Sequence, residues 1–352
     1  MKKNRINLIA TLATAVFSLS SCIYDDEVST YAPNGGFSDE EINISTSMFS
    51  AEAVETRAAS NLQGDNLDDW TTAGIFVYRT GKTAADNTAP SYAGYTNVAV
   101  TAPTGATTTP SATNKLTLTP ATKLYFPVDK TDVDVYVYAP FATHSDITSM
   151  AFTIDADQST DAKYKASDFV YGMGTAHYSG TPAKTAEVTM NHALTKLTFF
   201  IEDVGGIAGN IEEISLGDVY KKATIDMSKA ISAGAVTTST ASGDKGTVKV
   251  SNSTDNTSLY ANVNKTASAS APGVSAIIPP QSGMSASSGA TVSVKINSVT
   301  KTAYLGSASL TSFDPGKEYK YTLKILSDEV IVVVVSIVDW VAGAAQEREL
   351  TF

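Results

Sequence analysis

The chain has 352 residues, with 25 Lys plus Arg against 36 Asp plus Glu, which gives a formal net charge of -11 at pH 7. An acidic chain repels nucleic-acid phosphates and anionic lipid surfaces, so we expect no nucleic acid as a partner. With 3 His and 1 Cys, the chain has little material for a His/Cys metal site and none for an internal disulfide, and we expect no cofactor.

The composition predicts an all-β protein. There are 23 Gly, 12 Pro and 16 Tyr beside many Thr, Ser and Val residues, a mixture typical of short strands joined by turns. The length is enough for two domains of ordinary size.

The N-terminus has the pattern of a lipoprotein signal. Basic residues precede the apolar run Ile6–Phe17, and Leu19-Ser20-Ser21-Cys22 resembles a lipobox. Cleavage after residue 21 would leave Cys22 as a lipidated first residue on a membrane. The acidic cluster Asp25-Asp26-Glu27 resembles a signal that exports lipoproteins to the cell surface. The alternatives are a plain secretory signal and a solvated tether.

A modest strand is predicted for Ile42–Phe49, and a lone arginine follows it. Arg57 is the only basic residue between Ile6 and Arg79, and its neighbours are small or polar. Such a segment binds a protease readily in extended form. The residues alone leave two interpretations open, a processing site and an ordinary surface arginine.

The middle of the chain predicts many short strands. In the segment that starts at Val133, three valines occupy one face of a central strand and Tyr136 and Tyr138 the other. Residues 101–114 predict an exposed Thr- and Pro-rich loop. A domain boundary is expected near residue 186. Later strands are predicted at Ile211–Leu216, Thr247–Val250, Gly273–Pro279, Thr291–Ile296 and Tyr319–Ile325.

The last predicted strand is apolar on both faces. From Val330 to Val338 every residue except Ser336 is Val or Ile. At a period of two, Val330, Val332, Val334 and Val338 share one face, and Ile331, Val333, Val335 and Ile337 share the other. We therefore expect both faces to be covered, either inside a sandwich or barrel or by another molecule.

Motifs for catalysis or metal binding are weak. Gly172-Met173-Gly174 lacks the third glycine of a dinucleotide loop, and the acidic run from Asp155 to Asp161 departs from a calcium loop at two required positions. His192 is predicted at a strand start with a satisfied hydrogen bond, and Trp340 is predicted to be a core anchor rather than a ligand platform. We expect no enzymatic activity.

Six motifs follow one another in a fixed order behind the leader. They are Leu124-Tyr125-Phe126-Pro127, Val135-Tyr136-Val137-Tyr138-Ala139-Pro140, Asp168-Phe169-Val170-Tyr171-Gly172, His192-Ala193-Leu194-Thr195-Lys196-Leu197, Phe313–Leu323 and Ile337-Val338-Asp339-Trp340. In this order they resemble the fimbrillin family, the structural subunits of type V pili of Bacteroidales-type bacteria.

The resemblance implies two tandem transthyretin-like Greek-key β-sandwich domains, residues 58–185 and 186–352, behind a signal peptide (1–21) and a propeptide (22–57). It implies an outer-membrane lipoprotein precursor held by the lipid on Cys22. A trypsin-like protease would cut between Arg57 and Ala58 and remove the first strand. A neighbouring subunit would fill the groove with its C-terminal segment 330–352. The implied donor residues are Val330, Val332, Val334, Ile337, Val338 and Trp340.

These expectations describe a head-to-tail polymer of fimbrial subunits, since contacts of this kind do not close. Two alternatives remain. The first is a tip or anchor subunit whose loops bind a host protein or glycan and whose last strand stays in its own sheet. The second is a stand-alone surface lipoprotein that keeps Cys22 and is never cut at Arg57.

Overall fold

The computed structural model describes residues 36–48, 72–82, 94–101, 116–120, 122–179, 184–203, 211–252, 274–296, 298–326 and 329–340. These residues form an all-β structure with one α-helix, α1 (Asp161–Ala166). The strands are β1 (Phe37–Glu41), β2 (Asn43–Met48), β3 (Thr72–Arg79), β4 (Tyr95–Thr101), β5 (Leu116–Leu118), β6 (Tyr125–Pro127), β7 (Val133–Ala139), β8 (Met150–Thr153), β9 (Val170–Ala176), β10 (Thr185–His192), β11 (Thr195–Asp203), β12 (Ile211–Tyr220), β13 (Lys222–Ile225), β14 (Val236–Thr238), β15 (Lys245–Lys249), β16 (Ser251–Asn252), β17 (Val274–Ile278), β18 (Gln281–Ser282), β19 (Thr291–Ile296), β20 (Val299–Tyr304), β21 (Ser312–Phe313), β22 (Lys317–Ile325) and β23 (Val330–Asp339).

The first half of the chain is a seven-stranded sheet that folds over on itself. Its strand order is β4-β3-β7-β9-β10-β2-β5. β10 pairs with β9 only through Asn191 and His192, and further back it crosses over the face of β9. Gly172 and Gly174 permit this crossing, because a Cβ at either position would lie 2.2 Å from the carbonyl oxygen of Thr189 or 2.3 Å from that of Glu187. The sheet therefore forms the two layers of a sandwich.

The core of this sandwich is mostly aliphatic. The predicted valine face of β7 is confirmed, since Val133, Val135 and Val137 are at most 1% exposed. They pack in one cluster with Ile42 and Ile44 from the N-terminal segment. Alternation along β7 therefore separates two different cores.

The opposite, aromatic face of β7 belongs to a second core. Tyr136 and Tyr138 pack with Phe76 and Phe169 in a cluster that continues into the second half of the chain. There the cluster fills the space between a five-stranded sheet, β16-β17-β11-β22-β23, and a four-stranded sheet, β15-β12-β19-β20. Burial raises the pKa of Tyr138 to about 12, so this phenol stays neutral.

Residues 150–158 tie the two halves together. β8 pairs with β13 of the second half, from Met150↔Ile225 to Thr153↔Lys222. The buried Gln158 side chain then bonds the backbone of Ile277 twice, accepting from its N–H at 2.8 Å and donating to its carbonyl at 2.7 Å. A segment of the first half is thus built into the sheets of the second.

The strand pairing changes from the first half to the second half after β10. β10 runs from Thr185 to His192 within the first sheet, and β11 begins in the five-stranded sheet. The division into 58–185 and 186–352 stays a prediction. Among the described residues no helix has the length and apolar character needed to cross a membrane.

Candidate functional site

The N-terminal segment, residues 36–48, is built into the first sandwich as two strands. β2 lies between β10, to which it runs parallel from Thr185↔Asn43 to Met190↔Met48, and the short antiparallel β5. The predicted strand at Ile42–Phe49 is confirmed over Asn43–Met48. The preceding strand β1, which pairs with β6, was not predicted.

Side chains along β2 alternate between the core and the surface. Ile42, Ile44 and Thr46 are at most 4% exposed, while Asn43 is exposed. Full burial of each isoleucine contributes roughly 1.5–3 kcal/mol. The segment is therefore a structural part of this sandwich although it precedes all the other described residues.

Removing this segment would open a groove along β10. The inward side chains of β10, Ala186, Val188 and Met190, are at most 1% exposed while β2 is in place. Without β2, the outer edge of β10 would present unpaired N–H and C=O groups over about 20 Å, given a rise of roughly 3.3 Å for each of six residues.

The C-terminal strand β23 is the edge strand of the five-stranded sheet. It pairs antiparallel with β22 along its whole length, from Lys317↔Asp339 to Ile325↔Val330. The register shifts between Lys320, which pairs with Ser336, and Tyr321, which pairs with Val334. Val335 is therefore the extra residue of a β-bulge.

Because of the bulge, the residues that share a face of β23 differ from those that were predicted. With strict alternation, Val330 and Ile337 would lie on opposite faces, yet both pack against the same core. The extra residue places Ile337 on the same face as Val330, because it shifts every later side chain to the other face. The expectation that both faces are covered is confirmed at the end of the strand, where Ser336 and Val338 alternate with Ile337 and are at most 4% exposed, and is wrong at Ile331, which is 42% exposed.

Trp340 anchors the end of β23 to the end of β10. The indole is 3% exposed and stacks on the imidazole of His192, with ring centroids 3.8 Å apart and planes at 5°. Its backbone N–H donates to the carbonyl of Gly316 at 2.8 Å, and the N–H of Gly316 donates to the carbonyl of Leu194 at 2.8 Å. The prediction of a core anchor is confirmed.

His192 itself is held by a buried carboxylate. Nδ1 lies 2.9 Å from Oδ2 of Asp168, and both side chains are at most 1% exposed. The prediction that His192 starts a strand was wrong, because it ends β10 and the chain then crosses to β11. The Asp168 contact fixes the ring plane on which Trp340 stacks.

A buried ion pair lies beside this stack. Nζ of Lys196 is 3.8 Å from Oε1 of Glu318 and 5.6 Å from the centroid of the Trp340 ring. Thr198 also donates to Oε1 of Glu318, at 2.7 Å. Burial alone would raise the pKa of Glu318, but the charges of Lys196 and Lys320 and this hydrogen bond hold it below its usual value.

We expect the Glu318 carboxylate to make the free energy of unfolding depend on pH. Because its folded pKa is lowered from 4.5, its contribution is present above that value and is lost as pH falls through the lower folded pKa. We expect Glu318→Gln to lower the free energy of unfolding by about 3 kcal/mol at neutral pH, since it leaves Lys196 buried without this anion. The Glu318→Gln variant should lose less stability than the wild type between neutral and acid pH.

Urea unfolding at pH 7 and pH 3 measures both effects. Glu202→Gln is the control, because Glu202 faces Lys324 at 3.9 Å in a partly exposed pair that is worth roughly 0–1 kcal/mol. Equal losses in the two variants would contradict the assignment of Glu318 as a buried partner of Lys196.

Gly316 gives a second prediction. Its φ is +68°, a left-handed conformation, and a Cβ there would lie 3.2 Å from the carbonyl oxygen of His192. Gly316→Ala should therefore destabilise the chain by roughly 1–2 kcal/mol. Thermal unfolding measures it against Gly243→Ala, where a Cβ meets nothing within 4 Å. An unchanged melting temperature would show that this loop relaxes without disturbing the Trp340 anchor.

Several predicted sites lie outside the described residues. These are Cys22, Arg57, Ala58, the tail 341–352 and most of the loop at 101–114. Within the part of the chain that the structure describes, no group of three or more His, Cys, Asp or Glu side chains could hold a metal ion. Asp157 instead accepts from Ser159 and lies 3.3 Å from Lys163, contacts that lower its pKa to about 2.

Comparison with family models gives a match to the model described as fimbrillin-like, over residues 56–340. The chain belongs to the fimbrillin-like family. Members of this family are structural proteins, and this chain is not an enzyme. The matched region begins one residue before Arg57 and ends at Trp340.

Solved structures share the fold of this fimbrillin-like chain. A Bacteroides uniformis protein assigned provisionally to cell adhesion has 17% identity and a TM-score of 0.56, over 86% of this chain and 99% of its own. A Bacteroides ovatus protein with the same provisional assignment has 16% identity and a TM-score of 0.55, over 88% and 99%. A search of curated proteins finds no match.

Sequence reasoning missed the residues that join the two ends of the fimbrillin-like fold. The motifs contained Asp168, Lys196 and Gly316 without assigning them a role, and His192 was predicted only to start a strand and to make a hydrogen bond. A signal was present for Lys196, because charged residues are rare in apolar cores and Lys196 lies inside the strand β11. The contact of these residues with Trp340 depends on tertiary structure.

Proposed function

We propose that this chain is a structural subunit of a cell-surface fimbria that polymerises by strand exchange. It is exported as an outer-membrane lipoprotein precursor through Cys22 and is cut between Arg57 and Ala58 by a trypsin-like protease. Its partners are other fimbrial subunits. Family membership supports the fimbrial role, and the start of the family match at residue 56 supports a boundary beside Arg57.

The observation that carries the proposal is the position of residues 36–48. This segment fills the sandwich between β10 and β5, yet it joins the rest of the described chain only through residues 49–71, which contain Arg57. One cut there leaves β1 and β2 held only by noncovalent contacts. Release of the segment would uncover the inward side chains of β10.

The C-terminal strand has a pattern that fits the vacated groove. The inward positions in and just before β2 are Ile42, Ile44 and Thr46, three β-branched residues at a spacing of two. Val330, Val332 and Val334 have the same branching and spacing. A donated strand would therefore place valines where the precursor places its own side chains.

Strand exchange requires β23 to leave its own sheet. The precursor pairs β23 with β22 and buries Val330 and Trp340, so departure breaks one ladder while insertion into a neighbour builds another. The two states bury similar apolar strands, which permits exchange without a large net change in contacts. Because donor and acceptor surfaces differ, the contact is head-to-tail and generates a filament.

Two single substitutions test the donor role. Val332→Asp places a charge on the side of β23 that packs against the core, and it should abolish the polymer ladder of processed subunits. Ile331→Asp is the matched control, because this side chain is 42% exposed and should leave the ladder intact. Circular dichroism establishes that both variants fold.

A deletion of Val330–Phe352 complements these variants. Processed subunits that lack the segment should accept a strand but donate none, so they should terminate chains when mixed with wild type. Fibres formed by the deleted subunit alone, or equal polymerisation of Val332→Asp and Ile331→Asp, would show that another segment is donated.

One observation favours a second candidate, a tip or anchor subunit. β23 lies in its own sheet, which is the arrangement expected of a subunit that does not donate its last strand. Such a subunit would accept a strand and contact a host protein or glycan through its loops. Electron microscopy with an antibody to the chain separates the two, since a shaft subunit is labelled along the fibre and a tip subunit at one end.

A further inference from the structure

β10 connects the two strands that the proposed function requires to move. Residues Thr185–Met190 pair with β2, and the last residue of the same strand, His192, stacks on Trp340 at the end of β23. The N-terminal segment and the C-terminal strand are thus held by opposite ends of one strand.

We propose that β10 couples the two strands, so that loss of β2 loosens the Trp340 anchor and frees β23. This inference rests on the proposed function and adds its regulation: a subunit becomes able to donate only after it has become able to accept. Trp340 and His192 are positioning residues in this coupling.

The contacts of His192 show how the position of β10 reaches Trp340. The ring is 1% exposed and lies between the carboxylate of Asp168 and the indole face. The ring planes are 5° from parallel with centroids 3.8 Å apart, an arrangement that a small shift of the strand end would disrupt. Close packing leaves no slack to absorb such a shift.

A second path runs through Gly316. The N–H of Gly316 donates to the carbonyl of Leu194, two residues after His192, at 2.8 Å, and the Gly316 carbonyl accepts from the backbone N–H of Trp340 at 2.8 Å. The backbone of β23 is therefore connected to the end of β10 through a single residue. Displacement of His192 disturbs the ring stack and this backbone contact together.

The other end of β10 depends on β2. Six residue pairs join the strands in parallel register, and Ile42 and Ile44 share a core with Val188 and Met190. Loss of β2 removes that ladder and that cover, and β10 then retains β9 as its only paired neighbour in the described sheet. The strand that carries His192 becomes the edge strand and is held less firmly.

Hydrogen exchange read by mass spectrometry tests the coupling on the full-length chain. Limited trypsin treatment cuts at Arg57, and the monomeric fraction is isolated at once so that no neighbour refills the groove. Arg57→Gln treated identically controls for cuts elsewhere. We expect exchange to rise in residues 185–192 and, by roughly tenfold, in residues 330–340, an effect within the range for coupled sites.

The exchange rates of the two segments distinguish a failure of the coupling from a failure of the proposed function. Faster exchange in 185–192 with unchanged exchange in 330–340 would overturn the coupling and leave the opened groove intact. Unchanged exchange in both would overturn release of β2, and with it both proposals. Faster exchange in 330–340 alone would show that β23 is freed by a route that bypasses β10.

Reciprocity supplies a test that needs no cut, since coupling between two sites acts equally in both directions. Trp340→Ala should speed exchange in residues 43–48 and 185–192 of the uncut chain. Phe313→Ala is the control, because this buried ring belongs to the same core but packs edge-on against Tyr319. Equal effects of the two variants would reduce the Trp340 result to general destabilisation and contradict the coupling.

Discussion

Arg57→Gln is expected to leave the chain at its full precursor length and monomeric, with no ladder of polymers. Without the cut, residues 36–48 stay covalently attached and continue to fill the sandwich beside β10. A strand that belongs to the same chain competes at a high effective concentration, on the order of millimolar, so a neighbour's strand cannot displace it. The effect is a complete loss of assembly.

Lys82→Gln is the matched control for this substitution. Lys82 is an exposed basic residue that also follows a strand, so a protease with general access to basic loops would find it as well. Both variants are expressed, treated with a trypsin-like protease and run on denaturing gels without heating. Polymers of Arg57→Gln chains would show that assembly does not require this cut.

Gly172→Val is expected to abolish the stable fold, with a loss of at least about 3 kcal/mol in the free energy of unfolding. A Cβ at this position would lie 2.2 Å from the carbonyl oxygen of Thr189 and 2.9 Å from a methyl of Val188. Backbone cannot yield as a flexible side chain would. Relief of the clash requires β10 to lift away from β9, which opens the sandwich and displaces β2.

Gly243→Ala again serves as the control, because open space surrounds that position. Urea unfolding gives the stability of each variant, and the soluble yield reports a failure to fold. A Gly172→Val chain with the stability of wild type would contradict the close crossing of β10 over β9. The same crossing gives the Gly172-Met173-Gly174 motif a packing role in place of the phosphate loop that the sequence did not support.

Local patterns predicted much of this fold. Alternating valines and tyrosines identified β7 and its two faces, and Thr291–Ile296 was predicted with the bounds that β19 has. These segments alternate regularly over 7 and 6 residues, so the pattern of residue types is enough to predict a strand. The short strand β5 and the largely exposed β20 carry no such pattern and were missed.

Other features depend on tertiary contacts, which residue patterns do not specify. The bulge at Val335 is invisible in a run of valines, since every residue there suits either face. The stack of Trp340 on His192 joins residues 148 positions apart, and no spacing rule connects them. The resemblance of ordered motifs supplied the family, while the contact between β10 and β23 emerged only from the structure.

The N-terminal sequence and oligomeric state of the protein taken from the bacterial surface show whether the chain is cut at Arg57 and polymerised. We expect chains that begin at Ala58 and run as a detergent-resistant ladder. Chains that begin at a lipidated Cys22 and run as monomers would contradict this expectation, and would identify an anchored lipoprotein that keeps β2 in place.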